Sequence, residues 1–375
     1  MKTLRFEVDA AHLTAPEAEA AIRQAAGILR AGGTVALPTE TVYGLGANAL
    51  DEAAVERIFF AKQRPAWDPV IVHISSLEML ENLVTEIPAA ARMLMDAFWP
   101  GPLTLLLPRS TAVPDTVTAG RPLVGVRMPA HPVALELIRA AGVPVAAPSA
   151  NIFGHTSPTT AAHVLADLDG RIDVILDSGP AVHGVESTVL DPCQSPMIVY
   201  RPGAVTAEQI RAVAGAVEVF QPAGPLLDAA PAPHTDSVRP AGVEALPSPG
   251  VGLRHYAPKA KLVLIEAPES ADPANEKLAE LLNEGALRFQ GERLGVMLPA
   301  ELPASALNAA GSNTQGQILF SWGRWSEPES LAQDLYAGLR WLDDQGCTVI
   351  LCPLPPPEGI GAAIRDRLRK AAHNS

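Results

Sequence analysis

Eight prolines crowd the stretch from Gln221 to Pro258 (Pro222, Pro225, Pro231, Pro233, Pro240, Pro247, Pro249 and Pro258), and periodic apolar patterning disappears there. Proline fixes φ and removes a backbone donor, so neither a long helix nor a central strand can run through such a stretch. The chain is therefore expected to fold as two parts joined by an extended linker. We place a catalytic part at residues 1–215, the linker at 216–259 and a smaller part at 260–375. A length of 375 residues agrees with two domains, since domains average about 150 residues.

Composition narrows the class. The chain is 48% hydrophobic and 18% charged, which argues against global disorder. No apolar run reaches the roughly 18 residues that a membrane helix needs. The start, MKTLRFEVDAAHL, has no secretory apolar stretch. Cys193, Cys347 and Cys352 are too few for a disulfide framework and form no CxxC pair. A reduced, cytoplasmic protein with no membrane partner is expected. A net charge of −13 disfavours broad nucleic-acid binding, although a local basic site can exist within an acidic total.

The first part mixes helices and strands. Thr14-Ala15-Pro16-Glu17 reads as a capping box, and Ala18, Ile22, Ala25 and Leu29 line one face of the helix after it. Asp51 is placed to cap a second helix that ends before Pro65. Strands are expected at 34–37, 70–74, 103–107, 123–128, 143–147, 173–176 and 197–200. After the linker, strands near 261–265, 294–298, 317–320 and 348–351 alternate with helices near 275–287, 329–344 and 360–372. That alternation predicts a small parallel, Rossmann-like sheet.

Chemistry concentrates at strand ends. Pro38-Thr39-Glu40-Thr41-Val42-Tyr43-Gly44-Leu45-Gly46-Ala47-Asn48-Ala49 places hydroxyls, one carboxylate and two close glycines after a strand. It reads either as an anion-binding Gly-rich turn or as an ordinary one. Lys62 and Arg64 lie where the second helix ends. They either complement the helix dipole or clamp phosphate. His73 sits on an apolar strand, and a lone strand histidine is usually structural. Arg127 interrupts another apolar strand, so it must be paired or bind an anion. Ser149 and Asn151, then Ser157 to Thr160, then Glu186 and Ser187, then Arg201 follow further strands. There is no GxxxxGK[ST], HExxH or GxSxG segment. Such an inventory suits a reaction whose substrates supply both nucleophile and leaving group.

In order, PTETVYGLGANA, AKQRP with PVIVHI, WPGPLTLLL, VGVRMPAHP, APSANIFG with SPTT, GVESTVLD and YRPG resemble the YrdC/Sua5 family. SPGVGLRHYAPKA and the C-terminal α/β segment resemble its longer Sua5 type. The likeness covers nearly the whole chain. It implies a twisted open α/β sheet with a concave basic cleft, plus the small Rossmann-like domain. It also implies threonylcarbamoyl-adenylate synthesis, in which L-threonine, bicarbonate and ATP give threonylcarbamoyl-AMP and pyrophosphate. A separate tRNA threonylcarbamoyl transferase would then modify adenosine in tRNAs that read ANN codons. Mg²⁺ would be held mainly by the ATP phosphates.

Carried over by motif, Thr41, His73, Arg127, Ser149 and Ser187 resemble the threonine subsite, with Arg127 taking the amino acid's carboxylate. Lys62, Arg64, Asp68, Asn151, Thr159 and Arg201 resemble the nucleotide subsite, with Lys62 and Arg64 facing the phosphates. Two positions depart from the pattern. Asp68 stands where the family usually has Asn or His, and Leu123 where Thr is common. Arg254, His255 and Tyr256 either close over the cleft as a lid or dock the second domain. The same fold allows an alternative, a double-stranded RNA-binding or ribosome-associated module, and weak RNA affinity is a secondary expectation. A dehydrogenase built on GLGANA is disfavoured, because the glycines lead to Asp51 through a loop instead of opening a helix. Carbamoyl transfer in hydrogenase maturation is disfavoured too, because the acylphosphatase and zinc-finger segments of that pathway are missing.

Overall fold

The computed structural model describes residues 2–221, 248, 255–266, 274–308 and 317–373. Most of the proline-rich linker lies outside these residues, as does Arg254. The chain divides into two compact units, Met1–Phe153 with Ser157–Val182 and Glu186–Gly252, and Gly154–Thr156 with His183–Val185 and Leu253–Ser375.

The first unit opens with β1 (Leu4–Glu7), α1 (Pro16–Arg30), β2 (Val35–Leu37), β3 (Gly44–Asn48), α2 (Glu52–Lys62) and β4 (Ile71–His73). It continues with α3 (Leu77–Glu81), α4 (Ala89–Phe98), β5 (Leu103–Pro108), α5 (Asp115–Thr118), β6 (Leu123–Arg127) and α6 (Pro132–Ala141). It closes with β7 (Val145–Ala146), α7 (Ala161–Leu168), β8 (Val174–Asp177), β9 (Thr188–Asp191), β10 (Met197–Arg201), α8 (Ala207–Ala214) and β11 (Val217–Val219).

All eleven strands join one mixed sheet in the order β1-β8-β2-β3-β7-β4-β6-β5-β9-β10-β11. Its strands alternate side chains between two cores, as pleated backbone must. Val35, Leu37, Val145, Val174 and Leu176 face α1 and α6. Ala36, Ala146 and Ile175 face the other core, with Val55 and Ile58 of α2, Leu94 of α4 and Val164 of α7. The sheet takes in β11 and so runs past residue 215, where the sequence reading began the linker.

The second unit carries β12 (Lys261–Glu266), α9 (Ala274–Arg288), β13 (Leu294–Pro299), a 3₁₀ turn at Ala304–Asn308, β14 (Ile318–Gly323), α10 (Pro328–Asp344), β15 (Val349–Leu354) and α11 (Gly361–Ala372). Its strands are parallel in the order β12-β15-β13-β14, as the alternation predicted. Among the described residues, no helix is long and apolar enough to cross a membrane.

Two local readings are corrected. The expected capping box at Thr14 is not formed. Helix α1 begins at Pro16 with Ala15 as its N-cap and no side-chain cap, because proline is pre-organised for the first helical position and needs no N–H partner there. The expected Gly-rich turn is strand β3, antiparallel to β2. Gly46 is needed for packing: a Cβ there would lie 2.8 Å from Val145 Cγ1 and 2.9 Å from Leu37 Cδ2.

Candidate active site

Strand ends deliver the first cluster, all within the first unit. Arg127 ends β6, and its cross-strand partner on β4 is His73. The segment between β2 and β3 brings Thr39, Glu40 and Thr41 to the same place. Arg127 Nη2 pairs with Glu40 Oε1 at 2.6 Å. Its Nη1 donates to Thr41 Oγ1 at 2.9 Å, and its Nε to the Gly101 carbonyl at 3.1 Å. Thr39 Oγ1 bonds Thr41 Oγ1 at 2.8 Å and donates to the Val42 carbonyl at 2.6 Å.

The cluster is buried, and burial sets its protonation. Burial pushes the Glu40 carboxyl up, but the Arg127 guanidinium outweighs it and holds Glu40 below the usual carboxylate value. Burial, reinforced by the Arg127 charge, pulls His73 down to about 3, so its ring is neutral at pH 7. Burial also lowers His131, against the pull of Glu40.

The second cluster forms around Lys62, the last residue of α2. Gln63 follows in the left-handed region at φ 55, turning the chain so that Arg64 leaves the helix. Lys62 is only 1% exposed. Its Nζ donates to the Ser149 and Asn151 carbonyls, each at 2.5 Å. Ser149 Oγ donates to Asn151 Oδ1 at 2.6 Å. The 149–151 turn is fixed to the β2–β3 segment by Ala150 N donating to the Tyr43 carbonyl at 2.8 Å, and by the Gly44–Ser149 bridge. Burial, with Arg64 nearby, lowers the Lys62 ammonium pKa well below its usual value.

Arg64 donates to the carbonyls of Asp68 and Pro69 and pairs with the Asp68 carboxylate at 2.9 Å. Asp68 is fully buried, and desolvation pushes its carboxyl up against the opposing charges of Arg64, Lys62 and Arg201. The Asp68 carboxylate is thus engaged with Arg64. Leu123, the other departure, packs beside Ile71, Leu106 and Val189 and lines a small hollow with Pro69, Val70, Val117 and Thr118.

Arg201 joins residues expected in different subsites. Its Nε donates to the Ser187 carbonyl and its Nη2 to Ser187 Oγ, both at 3.1 Å. Ser187 Oγ also meets Thr104 Oγ1 at 2.8 Å. Gly203 permits this packing, because a Cβ there would lie 2.3 Å from the Thr188 amide.

The structure therefore brings Thr41, His73 and Arg127 together, then Lys62, Ser149 and Asn151, then Arg64 with Asp68, then Ser187 with Arg201. Thr159 Oγ1 bonds His163 Nδ1 at 3.2 Å. Sequence reasoning gave no role to Glu40, although its place in the polar run after β2 was visible. It also missed the buried bond from Ser157 Oγ to Glu186 Oε1 at 2.6 Å. His255 and Tyr256 are packed within the second unit. Tyr256, at φ 67, stacks on Tyr336 at 5.8 Å and lies under the Arg367 guanidinium at 5.2 Å, with the His255 ring 5.4 Å away.

Comparison with known proteins gives the class and then the family. Residues 27–203 match the Sua5, YciO and YrdC family model, described as "Telomere recombination". Residues 205–373 match the threonylcarbamoyl-AMP synthase C-terminal domain. The chain is thus a YrdC-type α/β domain followed by a Sua5-type C-terminal domain, as its motifs implied.

The chain belongs to the threonylcarbamoyl-AMP synthase family. It is 44% identical to the Pyrococcus abyssi synthase over 94% of each chain. It is 42% identical to the Bacillus subtilis synthase over 99% of this chain and 98% of that one. The crystal structure of P. abyssi Sua5 complexed with L-threonine superposes with a TM-score of 0.80 at 40% identity, covering 99% of this chain and 98% of that one. The chain is accordingly an enzyme.

Proposed function

We propose that the first unit acts as a nucleotidyltransferase, condensing L-threonine, bicarbonate and ATP to threonylcarbamoyl-AMP and pyrophosphate. One observation carries this reading. A buried cluster built around Arg127 and a cluster of Lys62, Arg64 and Arg201 around Asp68 both lie in the first unit, and Ser187 contacts Arg201 directly. One suits the head of an amino acid and the other a polyphosphate.

The chemistry then needs no protein nucleophile. Threonine's ammonium and bicarbonate give a carbamate, water and a proton. A carbamate oxygen attacks the α-phosphorus, and the bond from that phosphorus to the oxygen bridging the β-phosphate breaks as pyrophosphate leaves. Arg127 holds the threonine carboxylate. Lys62 and Arg64 stabilise the charge that builds on the phosphoryl oxygens. Desolvation lowers the Lys62 pKa before ATP arrives. An incoming triphosphate favours its ammonium form, so the positive charge is strongest when the nucleotide is bound.

The groups around Lys62 are carbonyl oxygens that accept from it, a side-chain amide and a hydroxyl, and Asp68 is engaged with Arg64. This suits Mg²⁺ carried in by the ATP phosphates, where it supplies charge neutralisation. The product is a mixed anhydride, so it would pass to a transferase that moves the threonylcarbamoyl group to tRNA.

Pyrophosphate release tests the reading, measured with ATP and Mg²⁺ and with threonine and bicarbonate each present or omitted. Release should need both. Release with neither, or none at all, refutes it.

A further inference from the structure

We propose that Glu40 binds the α-ammonium of threonine while Arg127 takes its carboxylate, so that the pair reads both charges of an α-amino acid. The inference rests on the proposed function and adds a residue and a selectivity to it.

A buried ion pair is a poor way to stabilise a fold. Desolvating two charges costs about as much as their attraction returns, and apolar residues of similar volume often serve better. Yet Glu40 and Arg127 are both more than nine-tenths buried and meet at 2.6 Å. Their surroundings leave hydrogen-bonding capacity unused. The amides of Ala130 and of Glu40 itself help lower the Glu40 pKa. Even so, neither oxygen of Glu40, nor Arg127 Nη2, nor His73 Nδ1 has a hydrogen bond of good geometry among the described residues. A guanidinium carries five N–H groups. Here Nε and Nη1 donate to Gly101 and Thr41, and Nη2 meets Glu40 as an ion pair.

The cluster thus has spare N–H donors beside a spare carboxylate oxygen. A ligand that brings one carboxylate and one ammonium fits both. It also leaves net charge unchanged, because a neutral zwitterion joins a neutral pair. With Arg127 alone, the site would accept any small carboxylate. Glu40 adds a requirement for the amine. Once the carbamate has formed, nitrogen keeps one N–H, which can hold the same contact while the new carboxylate turns to the nucleotide.

The test compares threonine with 3-hydroxybutanoate, which is threonine without its amine, by isothermal titration calorimetry at pH 7. Wild-type protein should bind threonine at least about tenfold more tightly, the value of a charge-assisted hydrogen bond. Glu40→Gln should weaken threonine about 10- to 100-fold and change 3-hydroxybutanoate by less than about threefold, so the preference collapses. A preference that survives in Glu40→Gln, or one that is missing in wild-type protein, overturns the assignment of Glu40. Should Glu40→Gln fail to fold, the wild-type comparison decides alone. Wild-type protein that binds neither compound would instead refute the proposed function, and this inference with it.

Discussion

Replacing Arg127 with leucine isolates the electrostatics of the threonine cluster. The substitution removes the 2.6 Å ion pair to Glu40, the bond to Thr41 and the bond to the Gly101 carbonyl. It leaves Glu40 buried with no opposing charge from that side. Breaking one partner of a buried pair costs about 3–5 kcal/mol. For a unit of this size, each kcal/mol moves the melting temperature by about 2–4 °C. The first unit of Arg127→Leu should therefore melt about 6–20 °C lower at pH 7, measured by differential scanning calorimetry. The loss should also depend on pH. In wild-type protein the Glu40 pKa lies below its unfolded value, held there by Arg127. Without Arg127, burial alone raises it above that value, so the folded state binds the proton more tightly and stability falls as pH rises. The deficit should be larger at pH 8 than at pH 5.5. The double variant Glu40→Gln/Arg127→Leu should recover about 1–3 kcal/mol, because an amide carries no charge to bury. A loss under about 1 kcal/mol for Arg127→Leu, or a double variant no better than the single one, would refute the reasoning.

Two further outcomes are expected. Lys62→Met should keep the fold and lower turnover by on the order of 10²–10³. In wild-type protein, ATP binding should take up protons, because the triphosphate raises a Lys62 pKa that burial has lowered. Lys62→Met should abolish that uptake, measured by calorimetry in buffers of different ionisation enthalpy, and unchanged uptake would remove Lys62 from the phosphates. His73 should weaken the fold in acid. Its folded pKa is about 3 against 6.5 unfolded, so the unfolded chain takes the proton first and stability falls as pH drops below 6.5. At pH 4.5 this amounts to about 2.5–3 kcal/mol, and His73→Gln should lose correspondingly less between pH 6.5 and 4.5. Parallel slopes for the two proteins in urea titrations would refute it.

Much of the molecule could be read from local pattern. The parallel second unit followed from strands and helices that alternate at regular spacing. Helix α2 followed from Asp51, whose carboxylate does accept from the Ala54 amide. In the first unit, strand runs were legible because they are apolar on both faces, as a sheet covered on both sides requires. Several helices were not. Helix α6 starts at Pro132 with His131 as its N-cap, a residue with little capping signature. Helix α8 could have been found, since Thr206 and Gln209 form a capping box. Gly44–Asn48 was misread because its glycines serve sheet packing, which local chemistry does not reveal. The site showed the same limit. Single residues such as Lys62 and Arg127 stood out as charges among apolar neighbours. Their partners did not. The Ser187–Arg201 contact depends on a bulge between β9 and β10, and the Glu40–Arg127 pair spans most of a hundred residues of chain.

In the proposed reaction a carbamate made from the substrates attacks the α-phosphorus. Mass spectrometry of a reaction containing ATP, Mg²⁺, threonine and ¹³C-labelled bicarbonate tests it most directly. The predicted result is one labelled threonylcarbamoyl-AMP for each pyrophosphate released. ADP with inorganic phosphate would mean attack at the γ-phosphorus, and AMP with pyrophosphate but no labelled adduct would mean that water was the nucleophile. Either would contradict the account.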